Sequence, residues 1–144
     1  MSKVVLDTTY LLPYVGIRVE GIGDIERKLE KYEVCYPTLL ILELEAVILK
    51  EARRKGLEEI PRDVRRRVDY LLYGGWIELI PPRGEDLQVI HFILRRGWRD
   101  IFDAILYATA VRINAGILTM DTTFRKFLRD RGFNYQILIG EEEL

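Results

Sequence analysis

Apolar positions along the chain fall into short runs that switch between strand and helix periodicity. Val4, Val5 and Leu6 form a β-branched run that reads as a buried strand and stops abruptly at Asp7, Thr8 and Thr9. Residues 8–15 read as a short helix with Pro13 in its first turns, and Gly16 ends it. After a glycine loop at 21–23, residues 24–31 predict a helix with apolar positions at 25, 29 and 32, and residues 34–36 a brief second strand. Pro37 suits the first turn of a long helix over 38–51 that ends near Gly56; its first half is apolar almost all round, which predicts burial. Residues 61–73 predict a helix carrying Arg65, Arg66 and Arg67, broken by Gly74 and Gly75. Residues 76–80 alternate as a strand and stop at Pro81 and Pro82. Helices follow at 85–94 and at 100–114, the latter rich in small residues. A strand at 116–119, a helix at 122–131 closed by Gly132, a last strand at 135–139 and an acidic tail at 141–143 complete the chain. Strands alternating with helices call for a three-layer α/β/α sandwich around a parallel sheet, with residues 1–144 forming one domain.

Composition narrows the chemistry. At 144 residues, 49% hydrophobic and 31% charged, the chain has the make-up of a globular domain. A formal net charge of -1 supplies no global basic field for nucleic acid, although a local basic rim around an acidic cleft would barely change the total. Cys35 and His91 are the only residues of their kinds, which excludes an internal disulfide and argues against zinc. A metal here would be bound by oxygens. The opening residues turn acidic too soon for a signal peptide, and no apolar run approaches the roughly 20 residues that cross a bilayer. A cytoplasmic location without membrane association is the expectation. Asn114, Asn134, Gln88 and Gln136 are the only amides beside abundant Arg, Lys and Glu, a balance that suggests a thermophilic source.

Four carboxylates stand in apolar or strand-end settings. Asp7 and Asp121 each follow a predicted parallel strand, so one sheet edge would carry both, and ligands gather outside the carboxyl ends of such strands. Each also suits the N-cap of the next helix. Glu43 shares a helical face with Leu40, Leu44 and Val47, whereas Glu45 faces Ile41 and Ile48; periodicity favours Glu43 only slightly. Asp103 follows Asp100 by three positions, the spacing of a capping box, and is also placed to point toward the strand ends. A hard cluster of carboxylates suits Mg²⁺ or Mn²⁺, which hold phosphodiesters and lower the pKa of an attacking water. Thr9 and Thr119 are candidate supports for a carboxylate. Arg95, Arg96 and Arg99 precede the helix at 100–114, and Arg125, Lys126 and Arg129 follow Asp121; Arg95, Arg96, Arg99 and Arg125 are candidate phosphate contacts, and the alternative for each is a solvated helix face. Tyr10, Tyr14 and Trp98 read as core residues before they read as partner contacts.

These residues resemble a PIN domain, the family of the VapC-type toxin nucleases. The strand running into Asp7, Thr8 and Thr9 resembles the family's opening strand. Leu42-Glu43-Leu44 resembles the Glu-Leu of its long helix. The run Asp103-Ala104-Ile105-Leu106-Tyr107-Ala108-Thr109-Ala110 is the most specific match, and Thr119-Met120-Asp121-Thr122-Thr123-Phe124 resembles its Thr-x-Asp-x-x-Phe. The resemblance implies an α/β/α fold and an endoribonuclease dependent on Mg²⁺ or Mn²⁺. It implies Asp7, Glu43, Asp103 and Asp121 as the catalytic and metal-binding cluster, choosing Glu43 over Glu45, and Thr9 as a support. It also implies an RNA substrate, an antitoxin partner and a homodimer. Many members carry one more acidic residue after the Asp121 position, where Thr122 and Thr123 stand here, so the hold on a second metal is weaker.

Competing functions fare less well. A haloacid-dehalogenase-type phosphatase wants a second Asp where Thr9 stands, and neither a phosphate-binding loop nor a dinucleotide fingerprint is present. An RNA-processing or structure-specific nuclease on the same fold, or a non-catalytic PIN-like binding subunit, remains as the alternative.

Overall fold

The computed structural model describes residues 2–144. Five strands, β1 (Lys3–Leu6), β2 (Glu33–Pro37), β3 (Glu78–Ile80), β4 (Gly116–Leu118) and β5 (Leu138–Ile139), form one sheet in the order β3-β2-β1-β4-β5. Every neighbouring pair is parallel. The inner strands read as unbroken apolar runs because both sheet faces are covered; Val4, Val5, Leu6, Ile117 and Leu118 are wholly buried. Leu6 stands opposite Leu118, so β1 and β4 end level with each other.

The strand order reverses once, between β1 and β4. Right-handed connections on the two sides of that reversal put their helices on opposite faces. The 3₁₀ turn Thr8–Val15 packs against α2 (Ile41–Arg54) and α3 (Arg62–Tyr73), with the short α1 (Glu26–Leu29) in the same connection series. On the other face, α5 (Ile101–Ile113) lies on β1, β2 and β4 and packs against α4 (Asp86–Arg95). Phe124 of α6 (Thr122–Asp130) meets Tyr107 of α5 edge-on. The result is the three-layer sandwich, and its strand order leaves a crevice at the carboxyl ends of β1 and β4.

Four expected elements are corrected. The helix over 24–31 shrinks to Glu26–Leu29, since only Ile25 and Leu29 of that stretch are buried and neither end has a side-chain cap. The last strand shrinks to Leu138–Ile139, because Asn134 Oδ1 accepts from the Gln136 amide and the Leu138 amide turns back to the Tyr135 carbonyl. The third strand begins at Glu78 rather than at residue 76. The helix after Pro37 is not buried all round: it starts as the 3₁₀ turn Thr38–Leu40, and Leu39, Leu42 and Leu49 remain 46%, 63% and 53% exposed. It belongs to an outer layer, so only the face of Leu40, Leu44 and Ile48 meets the core.

An ion pair that periodicity does not reveal ties α4 to the far end of α5. Arg112 donates to both carboxylate oxygens of Asp86 at 2.7 and 3.2 Å and to the Pro81 carbonyl at 2.8 Å. Asp86 also accepts from the Arg83 amide at 2.9 Å, and both side chains are largely buried. Removing one partner strands a buried charge. Asp86→Ala is expected to lower the unfolding free energy by about 3–5 kcal/mol in urea denaturation; a loss under about 1 kcal/mol would show the pair to be as weak as a surface one.

Candidate metal-binding cleft

The chain passes one residue beyond β1 before turning: the Asp7 amide still donates to the Leu118 carbonyl at 3.0 Å. Asp7 then occupies the N-cap position of the 3₁₀ turn without making a capping bond. Its Oδ2 instead accepts from Thr119 Oγ1 at 2.8 Å. That same Thr119 oxygen accepts from the Asp121 amide at 3.0 Å. One buried hydroxyl therefore joins the two strand ends. Asp121 is a true cap, its Oδ1 accepting from the Phe124 amide at 2.9 Å.

The other two carboxylates arrive on helices. Glu43 sits in the first turn of α2, half-buried, while Glu45 is exposed. Asp103 sits in the first turn of α5, but it forms no capping box with Asp100; its Oδ2 accepts from Trp98 Nε1 at 3.0 Å. Trp98 is half-buried and packs on the core through Phe124 and Phe127, with ring centroids 4.9 and 5.0 Å away, while Tyr10 is a buried core residue. Asp100 caps α5 through the Phe102 amide at 2.8 Å.

Asp7, Glu43, Asp103 and Asp121 line a single cleft of about 280 Å³ together with Asp100, Thr8 and Thr9. Its remaining walls are Leu12, Val47 and Met120, and no Lys or Arg lines it. None of the five acids is ion-paired among the described residues. The electrostatic consequence is uniform in sign. Burial pushes the Asp103 carboxyl up to about 7, the Asp100 charge adds to the rise, and the Trp98 indole opposes it. Burial raises Asp7 as well, against the Thr119 hydroxyl, with the Asp121 charge adding to the rise. Glu43 is raised by burial and by the charges of Asp7 and Asp100.

Thr119 rather than Thr9 supports Asp7: Thr9 lines the cleft, whereas Thr119 is buried beneath it and makes the bond. The basic residues do not come to the cleft. Arg95 and Arg99 are exposed, and Arg96 is spent on its own helix, donating to the Phe92 carbonyl and lying over the Phe92 and Phe133 rings. Arg125 lies over the Tyr135 ring and lines a neighbouring cavity that shares Met120 and Asp121 with the cleft. Sequence reasoning missed Asp100 as a cleft residue, although its spacing of three from Asp103 sets both on one side of the helix start. It also missed Thr8 and Trp98, which no sequence pattern marks.

The donor set fits a hard divalent cation. Its polar side chains are all carboxylates and hydroxyls, without His or Cys, and its negative charge has no Lys or Arg among the lining. As the side chains are turned, no three acidic, His or Cys groups among the described residues close on a single point suited to an ion. The carboxylates share a cleft wall without clasping its centre.

Comparison with known proteins bears on this arrangement. The sequence profile of the PIN domain matches residues 4–129, a span that includes all five acids. No curated protein matches the chain. A solved structure described as FitAB bound to an IR36 DNA fragment aligns with 98% of this chain and 96% of its own, with a TM-score of 0.61 and 15% identity, a likeness of fold. PIN domains are generally nucleases that use divalent metal ions. With the profile running from the first strand through Asp121 into α6, the chain belongs to the PIN domain family.

Proposed function

We propose that the protein is a Mg²⁺- or Mn²⁺-dependent endoribonuclease and acts as the toxin of a toxin–antitoxin pair. The observation that carries the metal-dependent reading is the cleft itself: five acids, three of them resisting ionisation, with no basic residue among the lining. Folding alone asks for no such cluster, since unpaired carboxylates removed from water are costly. Asp7, Glu43, Asp103 and Asp121 are the residues proposed to hold the ion. When bound, it would supply a Lewis acid for the phosphodiester and a lowered pKa for the attacking water.

The chain's own groups prepare that chemistry. Thr119 orients Asp7 by donating its one proton to Oδ2, which leaves Oδ1 unclaimed by that hydroxyl. Trp98 holds Asp103 Oδ2, so Oδ1 is the oxygen available to hold a proton near neutral pH. Leu12, Val47 and Met120 complete the cleft wall around the acids. RNA as the substrate and an antitoxin as the partner rest on the family resemblance; the fold shared with FitAB, described as bound to DNA, is compatible with a partner that also engages nucleic acid.

Two experiments test this reading. Asp7→Asn and Asp121→Asn are expected to lower Mn²⁺-stimulated cleavage of single-stranded RNA by at least about 100-fold while the protein stays folded. Expression of the wild type should arrest a bacterial host and expression of Asp7→Asn should not. A wild type that neither cleaves RNA nor binds Mn²⁺ or Mg²⁺ contradicts the proposal.

A third test is pH linkage. Asp7, Glu43 and Asp103 have folded-state values above their unfolded ones, so the folded protein binds more protons than the unfolded chain between about pH 4 and about pH 7. Their contribution is therefore least costly below that window, and stability falls as pH rises through it. In chelator, Tm should fall from pH 5 to pH 8, and Asp103→Asn should flatten the fall. Mn²⁺ should raise Tm more at pH 8 than at pH 5. Equal Mn²⁺ shifts at both pH values would show that the ion does not bind these carboxylates.

A further inference from the structure

Beneath the acidic cleft, the end of β2 meets the start of α2 through two buried hydroxyls. Tyr36 is fully buried and Thr8 is 2% exposed, and their oxygens lie 2.7 Å apart. Tyr36 Oη is also 2.7 Å from the Leu40 carbonyl oxygen. A carbonyl only accepts, so the Tyr36 proton goes to Leu40 and the Thr8 hydroxyl donates to Tyr36. Leu40 is the residue on which α2 begins. It stands at the N-cap position, where its own side chain caps nothing, and only the turn Thr38–Leu40 separates it from β2. Glu43 lies in the first turn that Leu40 starts. Thr8 in turn follows Asp7 directly and lines the cleft beside Glu43.

A buried tyrosine hydroxyl is costly unless bonded, and phenylalanine would fill the same volume without that demand. Here the hydroxyl makes two bonds, and both lead to the cleft. One anchors the helix that carries Glu43, and the other reaches the residue after Asp7. We infer that Tyr36 and Thr8 are positioning residues: they hold the first turn of α2 at a set height beside β1, and so set how the Glu43 carboxyl faces Asp7 across the cleft. Metal affinity then depends on two hydroxyls that need not touch the ion. This inference rests on the metal-dependent reading above.

Calorimetric titration of the metal-free protein with Mn²⁺ tests it, using the wild type, Tyr36→Phe, Thr8→Val and Thr8→Ser. Loss of an outer hydrogen bond to a metal site weakens affinity by about 10–100-fold, so Tyr36→Phe and Thr8→Val should each bind Mn²⁺ at least about tenfold more weakly, and Thr8→Ser should recover most of the loss. In cleavage assays the Mn²⁺ concentration for half-activity should shift with affinity, while kcat at saturating Mn²⁺ recovers. A purely structural hydroxyl would lower Tm and leave affinity unchanged. If Tyr36→Phe does not fold, the Thr8→Val and Thr8→Ser pair decides, because it leaves Tyr36 in place. Wild-type affinity in both Tyr36→Phe and Thr8→Val overturns this inference alone. Absence of Mn²⁺ binding in the wild type overturns the metal-centre reading and the inference with it.

Discussion

Burial of carboxylates without any counter-charge is the constraint around which this cleft is arranged. Asp7, Glu43 and Asp103 are half-buried in a cleft that no basic side chain lines, and each resists ionisation as a result. A protein can keep such groups only if the rest of the structure supplies the stability they withhold. Here the buried apolar residues of the inner strands, among them Val4, Val5, Leu6, Ile117 and Leu118, do so. A divalent cation would offset both that burial cost and the mutual repulsion of the carboxylates.

The sheet topology brings the acids together by simple means. Two parallel strands ending level at the reversal of strand order bring Asp7 and Asp121 side by side, and the Thr119 hydroxyl fixes their relation. Glu43 and Asp103 come from helices on opposite faces of the sheet, each in a first turn, where the helix dipole favours a carboxylate. Three of the four are steadied by a neutral donor or a backbone amide rather than by a cation: Asp7 by Thr119, Asp103 by Trp98 and Asp121 by the Phe124 amide. Orientation is thus achieved without spending the negative charge.

Much of this was legible in the chain. The run ending at Asp7 and its echo at Asp121 announce two parallel strand ends, because an apolar β-branched run that stops at a carboxylate has few other uses. Glu43 against Glu45 was not decidable from periodicity, since both have apolar neighbours at three and four; the structure separates them because only one side of α2 meets the core. Leu39 and Leu42, in the half of the helix expected to be buried, are exposed for the same reason: hydrophobicity reports a preference, while layer position decides which face is covered. The Asp7 cap was plausible locally, and Thr119, 112 residues away, takes the carboxylate instead. Asp86–Arg112, Trp98–Asp103 and Tyr36–Thr8 carry no periodic signal, because each depends on the meeting of elements brought together only by the fold.

The most direct test of the acidic cleft as a metal centre is anomalous diffraction from crystals of the protein soaked in Mn²⁺. The account predicts at least one anomalous peak in the cleft, within coordination distance of oxygens from Asp7 and at least one of Glu43, Asp103 and Asp121, with the carboxylates turned inward to meet it. A cleft without a peak at saturating Mn²⁺, or a peak held only by other residues, would contradict it.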